Sequence, residues 1–293
     1  MVKILIHCLT LNWRYHSAMS PLRSELMGAP HTYLVNVRCA QQQPALARVG
    51  EATALLALIE RLRLAFDTRV FAYRIEAGGL ALLLRHRALP DSDEHLRERW
   101  RSIAGVPSAL PLLRVRFSSL AGFMQTMLQR YSREWNRRHH GTGHLWAGRY
   151  RACLLADDAA LIAAVVWLED DALHRQAAVA SSRLGHDGGG PVTLAGLPLR
   201  LGPDASLFTT DESPPGLAPP PEGEGQRWLD RFAANLRSPD RRTYGLALAR
   251  GWALGRPDSL SETISRLGRS GGRGRSRQLR DLDDELGLCG VWG

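Results

Sequence analysis

The sequence predicts an α+β fold, and three observations carry that expectation. Short runs of β-forming residues alternate with segments whose apolar residues recur at three- and four-residue steps. Two of the short runs flank Glu76-Ala77-Gly78-Gly79, a turn signal. The chain has 293 residues, 44% of them apolar, enough for a sizeable core and about two domains at roughly 100–200 residues each.

In chain order, His31 to Ala40 reads as a strand, and Ala47 to Phe66 carries Val49, Leu55, Leu56, Ile59, Leu62 and Phe66 near helical spacing. Arg69 to Ile75 and Leu80 to Arg87 make a hairpin, completing a β-α-β-β unit. Asp91 to Ile103 is a charged helix with Asp91 or Ser92 as its cap, and Val106 to Pro111 is a break containing two prolines. Phe117 to Arg138 is the clearest helix, with Phe117, Leu120, Met124, Leu128, Tyr131 and Trp135 in one stripe and Arg130, Arg133 and Arg137 opposite. Arg149 to Leu155 follows as a strand and Ala159 to Leu173 as an apolar helix.

Ser181 to Gly225 differs, with three consecutive glycines at Gly188 to Gly190 and five prolines between Pro214 and Pro221, and reads as a linker with a short hairpin around Val192 to Leu201. Helical patterns return in Gln226 to Leu236, Arg241 to Ala253 and Ser259 to Leu267. Arg266 to Arg280 then holds six arginines and no acid, before Asp281, Asp283, Asp284 and Glu285. The expected organisation is an upstream extension over 1–18, a main domain over 19–175, a linker over 176–225, a helical module over 226–268 and an Arg-rich then acidic tail over 269–293.

Lys and Arg exceed Asp and Glu by 38 to 29, so the surface should attract polyanions such as nucleic acid or acidic headgroups. Only Lys3 is a lysine, so arginine richness reflects composition as much as chemistry, and the location of charge must decide. Cys8, Cys39, Cys153 and Cys289 lie far apart without Cys or His neighbours at zinc-site spacing, which points to buried thiols in a reducing cytoplasm. The first apolar run, Ile4 to Leu11, is interrupted and far short of the ~20 residues of a membrane span, and makes a poor export signal. A cytoplasmic protein with no membrane partner is expected.

Two stretches carry a family resemblance. Leu120 to Tyr150, LAGFMQTMLQRYSREWNRRHHGTGHLWAGRY, resembles "lm…l.rrY.r.fNrr.g.tG.lWegRy", and Ser20 to Pro30, SPLRSELMGAP, resembles "RPLRiefpGap". Both segments belong to the REP-associated branch of the single-tyrosine HUH transposases, and the clear part of the resemblance spans residues 19 to 175. It implies a ferredoxin-like domain that acts on single-stranded DNA in transposition. In such enzymes two histidines and an Asn or Gln hold Mg or Mn, which polarises the scissile phosphate for attack by a tyrosine. The family's "AYvLMPNHVHLLv" hairpin aligns with Ala72 to Leu83, which places Gly79 and Ala81 at the histidines. Its "YIELNP" motif aligns with Trp167 to Ala172, which places Trp167 at the tyrosine and Asp171 at the metal-binding Asn. Neither Gly79 nor Ala81 can ligate a metal, an indole only donates an N–H, and one carboxylate is not a metal site. The resemblance therefore implies a catalytically degenerate relative, with no metal cofactor.

The binding side of the family pattern is retained. Arg130, Arg133, Arg137, Arg138, Arg149 and Arg151 face a single acid, Glu134, between residues 130 and 151, and could follow a phosphate backbone with His144 adding a donor. A merely solvated face would interleave acids at four-residue spacing. Trp146 either stacks on an unpaired base or is structural, whereas Trp135 and Tyr131 belong to the apolar stripe. His139 and His140 are adjacent and point apart, so they form no metal pair. Arg273, Arg275 and Arg277 could enter a minor groove or simply pair with the following acids. Arg85, His86 and Arg87 read as exposed strand residues, with a DNA-facing position as the alternative.

The expected fold is thus a ferredoxin-like antiparallel sheet with helices on one face, plus a small C-terminal helical module. The expected function is recognition of single-stranded, hairpin or repeat DNA without cleavage, and a homodimer is compatible with it. A transposase or single-strand endonuclease working through an unusual site is one alternative, and an RNA-binding module without the aromatic RNP pattern is another.

Overall fold

The computed structural model describes residues 31–40, 44–86, 92–104, 109–169, 178–181, 248, 253–261, 278–283 and 288–292. The fold is α+β. Its elements are β1 (His31–Arg38), α1 (Glu51–Ala65), β2 (Thr68–Glu76), β3 (Gly79–His86), α2 (Asp93–Ala104), α3 (Leu110–Phe117), α4 (Leu120–Arg138), β4 (Arg151–Leu155), α5 (Asp158–Glu169), β5 (Ala178–Ser181), β6 (Ala253–Gly255), β7 (Gln278–Asp283) and β8 (Leu288–Trp292).

The strands form one eight-stranded sheet in the order β5-β2-β3-β1-β4-β6-β8-β7. The first four strands lie as β2-β3-β1-β4, each antiparallel to its neighbour, so β1-α1-β2 and β3 through α4 to β4 each cross over one intervening strand. Side chains alternate across the pleat. Val35 and Val37 on β1, Tyr73 and Ile75 on β2, and Leu80, Leu82 and Leu84 on β3 share one buried cluster with Leu55, Leu56, Ile59 and Leu62 of α1 and Phe123, Met124, Met127 and Tyr131 of α4. Residues of opposite parity, Leu34, Ala72, Leu83 and Cys153, are equally buried on the other face. Both faces are therefore covered, which explains why β3 reads as a nearly unbroken apolar run.

Two details of the expected sheet need correction. Helices cover both faces: α5 lies across the second one, where the Arg74 guanidinium donates from Nη1 to the Leu168 carbonyl at 3.1 Å. The sheet is also mixed, because β6 runs parallel to β4, with Leu154 and Leu155 opposite Ala253 and Leu254.

Three local expectations change as well. The stripe from Phe117 to Trp135 is split between two helices: α3 ends at Phe117, and Ser119 opens α4 by accepting the Gly122 N–H at its Oγ, 3.1 Å. Pro111, expected in a break, sits in the first turn of α3, where its missing N–H costs nothing. Val49, expected in the helix, lies before α1 and is fully exposed at 102%. Ser92 does cap α2, its Oγ accepting from the His95 N–H.

In the stretches expected to be linker, helical module and tail, β5, β6, β7 and β8 join the sheet. Leu248 and residues 257–261 are helical. The expected extension over 1–18, the opening at Ser20 to Pro30, the hairpin at 192–201 and most of 226–268 lie outside the described residues. Among the described residues no helix is long and apolar enough to cross a membrane.

Candidate nucleic-acid interface

The arginines expected to follow a phosphate backbone come mainly from α4, so its mounting decides which of them are available. The inner face of α4 is fixed by burial of Phe123, Met124, Met127 and Tyr131. Near its start, a Cβ at Gly122 would fall on the Arg116 carbonyl oxygen, so only glycine lets α3 and α4 meet this closely.

Its C-terminal end is clamped by one carboxylate. Glu51, the first residue of α1, is only 3% exposed. It accepts from the Tyr131 hydroxyl at 2.7 Å, from Arg138 Nε at 3.0 Å and Nη2 at 2.6 Å, and from His139 Nε2 at 2.8 Å. The Arg48 guanidinium donates to His139 Nδ1 at 3.0 Å, which leaves the imidazole proton on Nε2, facing the carboxylate. Burial alone would push the Glu51 carboxyl up, but the hydrogen bonds from Arg138, Tyr131 and His139 prevail and hold it at about 2. Burial, and then the same carboxylate, raise the Tyr131 phenol, as expected of a core tyrosine rather than a nucleophile.

The six expected arginines therefore divide. Arg138 is engaged by Glu51 through two bonds and belongs to the clamp. Arg130 is half-buried and donates through Nη1 to the Ile103 carbonyl at the end of α2. Arg133 and Arg137 are exposed one turn apart on the outer face of α4, with no carboxylate within ion-pair reach among the described residues. Arg149 and Arg151 are exposed beyond the loop that follows, and His144 is exposed within that loop. Trp146 is buried: its indole N–H donates to the Leu128 carbonyl at 3.1 Å, and its ring lies 5.8 Å from that of Tyr131. Of the two readings for Trp146 the structural one holds, and Trp135 is half-buried against the same core.

His86 was expected on the surface and is instead buried, hydrogen-bonded at Nδ1 to the Thr68 hydroxyl at 3.0 Å. Burial pushes its imidazole down to about 4. Arg273, Arg275, Arg277, Arg87 and Asp171 lie outside the described residues.

Gly79 and Ala81, the positions that the resemblance aligns with metal-binding histidines, fall on the face covered by α5. Ala81 is paired across the sheet with Arg74 on one side and Asn36 on the other, and Asn36 in turn with Arg151. Arg74 is only 2% exposed and also donates from Nε to Glu76 Oε1 at 3.2 Å. A Cβ at Gly79 would lie 2.6 Å from the Val37 carbonyl oxygen, closer than real contacts allow. Trp167 is half-buried on α5. These residues do not fit a divalent metal: Gly79 and Ala81 offer no donor, and a buried guanidinium beside Ala81 repels a cation. Among the described residues no three His, Cys, Asp or Glu side chains cluster to hold one.

Sequence reasoning missed Glu51, Arg61, Arg74 and Arg116. An acid opening a helix after Gly50 was one signal for Glu51, since the N-terminal end of a helix favours a carboxylate. No family model matches this chain, and no curated protein or solved structure matches it either.

Proposed function

We propose that this chain is a DNA-binding protein of the REP-associated tyrosine transposase type, which engages single-stranded or hairpin DNA without cleaving it. The strand order β2-β3-β1-β4 with two crossovers supports the ferredoxin-like core that the resemblance implies. The observation that carries the reading is the pair Arg133 and Arg137 on the outer face of α4; Arg149 is exposed after the loop that follows, and Arg151 is exposed beside Asn36 on the side of the sheet that α5 covers. All four are exposed and clear of carboxylates among the described residues. A surface left positive in this way has phosphate as its natural counter-ion. Loss of donors at Gly79 and Ala81, with Arg74 buried beside them, supports binding without metal-dependent cleavage.

Fluorescence anisotropy with a labelled stem-loop, its unpaired strand and a duplex tests this. Replacing Arg133, Arg137 and Arg149 with Ala should flatten the plot of log affinity against log salt by about 2, at ~0.7 per lost contact on a single strand. The melting temperature should hold, since none of the three packs in the core. With magnesium or manganese the stem-loop should remain uncut. A variant with wild-type affinity and slope, or a covalent protein–DNA adduct, overturns the reading.

A further inference from the structure

A second cluster of arginines lies on the flank of α4 that faces α1 and α3. Arg130 stands within electrostatic reach of Arg61 on α1, Arg116 on α3 and Arg133 on its own helix. Arg116 and Arg130 are both held against α2, on Trp100 and Ile103, which lie one turn apart. The Arg116 guanidinium lies over the Trp100 ring, 4.7 Å from its centroid, and the close approach at Gly122 keeps α3 against α4. Arg130 is tethered to the carbonyl end of α2. Arg61 is exposed, 3.9 Å from Glu134 Oε1. Glu134 is the carboxylate that acts on Arg130, and it is shared with Arg138 at 3.8 Å.

The half-buried Arg130 is repelled by three neighbouring guanidiniums, Arg61, Arg116 and Arg133, and the carboxylate of Glu134, shared with Arg138, offsets this only in part. Burial, then the neighbouring arginines, push Arg130 below the usual guanidinium range, and burial lowers Arg116 as well. An anion with several oxygens would relieve this, because each guanidinium offers a planar fork of donors suited to phosphate.

We propose that Arg61, Arg116, Arg130 and Arg133 form a phosphate-binding site between α1, α3 and α4, beside the exposed row of α4. The site takes a phosphoryl group through charge-assisted hydrogen bonds. It rests on the nucleic-acid reading only for the source of that group, a backbone phosphate of the bound strand rather than a free phosphate ion. On this view the strand passes over the outer face of α4 and seats one phosphate on its flank.

The test compares wild type with Arg61→Ala/Arg116→Gln, neither of which belongs to the exposed row. Melting temperature is followed in sodium phosphate and in sodium chloride of equal ionic strength. Phosphate should raise the wild-type melting temperature above the chloride series, and the double variant should lose that difference. On the stem-loop, the double variant should flatten the salt slope by about 1.4, at ~0.7 for each of two contacts. If the double variant is poorly folded, Arg61→Ala alone, at an exposed position, should remove part of both effects. Equal melting curves in the two salts, or an unchanged slope while the α4-row variant loses DNA, overturns the site and leaves the DNA reading standing. A phosphate effect abolished by the double variant, in a protein that binds none of the DNA probes, upholds the site with free phosphate as its source and overturns the DNA reading.

Discussion

At Gly79 the backbone itself leaves no room for a side chain. The β3 backbone comes so near β1 that any Cβ meets the Val37 carbonyl at 2.6 Å, in the middle of a sheet covered on both faces. Placing histidine there forces apart two central strands, and overpacking of this kind costs about 1–3 kcal/mol or more. Gly79→His should therefore lower the urea midpoint without creating affinity for manganese. A variant as stable as wild type would show that the strands can yield. Glu51 supports a different expectation. Its folded value near 2 lies below the ordinary 4.5, so the stability it contributes is complete above about pH 4.5 and is lost as pH falls toward 2. Glu51→Gln should destabilise the protein at neutral pH and flatten the acid side of its stability profile in that window. Parallel acid profiles for the two proteins would remove the carboxylate from that role.

At the scale of elements, α1, α2, α4, α5 and the first four strands were legible because their own residue patterns express their burial. The exposed positions of Arg133 and Arg137 follow from the same spacing. What escaped were contacts between elements. Arg138 sits on the polar side of the helix by spacing alone, yet it is drawn to Glu51, which is 87 residues away. The division between α3 and α4 was hidden because Phe117 continues the apolar stripe, while the signal for a new helix was the Ser119 cap. That cap supports a prediction: Ser119→Ala leaves the Gly122 N–H without its side-chain acceptor and should cost about 1 kcal/mol, read by chemical denaturation. No change in the midpoint would mean that water or backbone replaces the hydroxyl at no cost. The covering of both faces also had a signal, since the segment that forms α5 contains no polar stripe, as befits a helix between layers.

Across the whole molecule, strand pairing unites segments that composition separated. β6 is three residues long and β5 four, too short for an alternating pattern to stand out, and their partners lie far away in sequence. The consequence is energetic. β6 shields the outer edge of β4: the Ala156 N–H donates to the Leu254 carbonyl at 2.9 Å, and Asp157 accepts from the Arg256 N–H. Leu154, Ala253, Leu260 and Cys289 form a buried cluster on this side that touches Tyr33 of β1. Removing residues 253–293 would delete Ala253, Leu260 and Cys289 from that cluster, uncover Leu154 and leave the β4 edge unpaired. Leu254 and Leu260 are both fully buried, and burial of each contributes about 1.5–3 kcal/mol. An uncovered flat edge is also a template for pairing with another chain. The truncated protein should therefore melt several degrees lower and elute earlier than its mass predicts on size exclusion, with self-association increasing with concentration. A truncated protein that stays monomeric and melts at the wild-type temperature would show that β1 to β5 with their helices are complete without β6, β7 and β8.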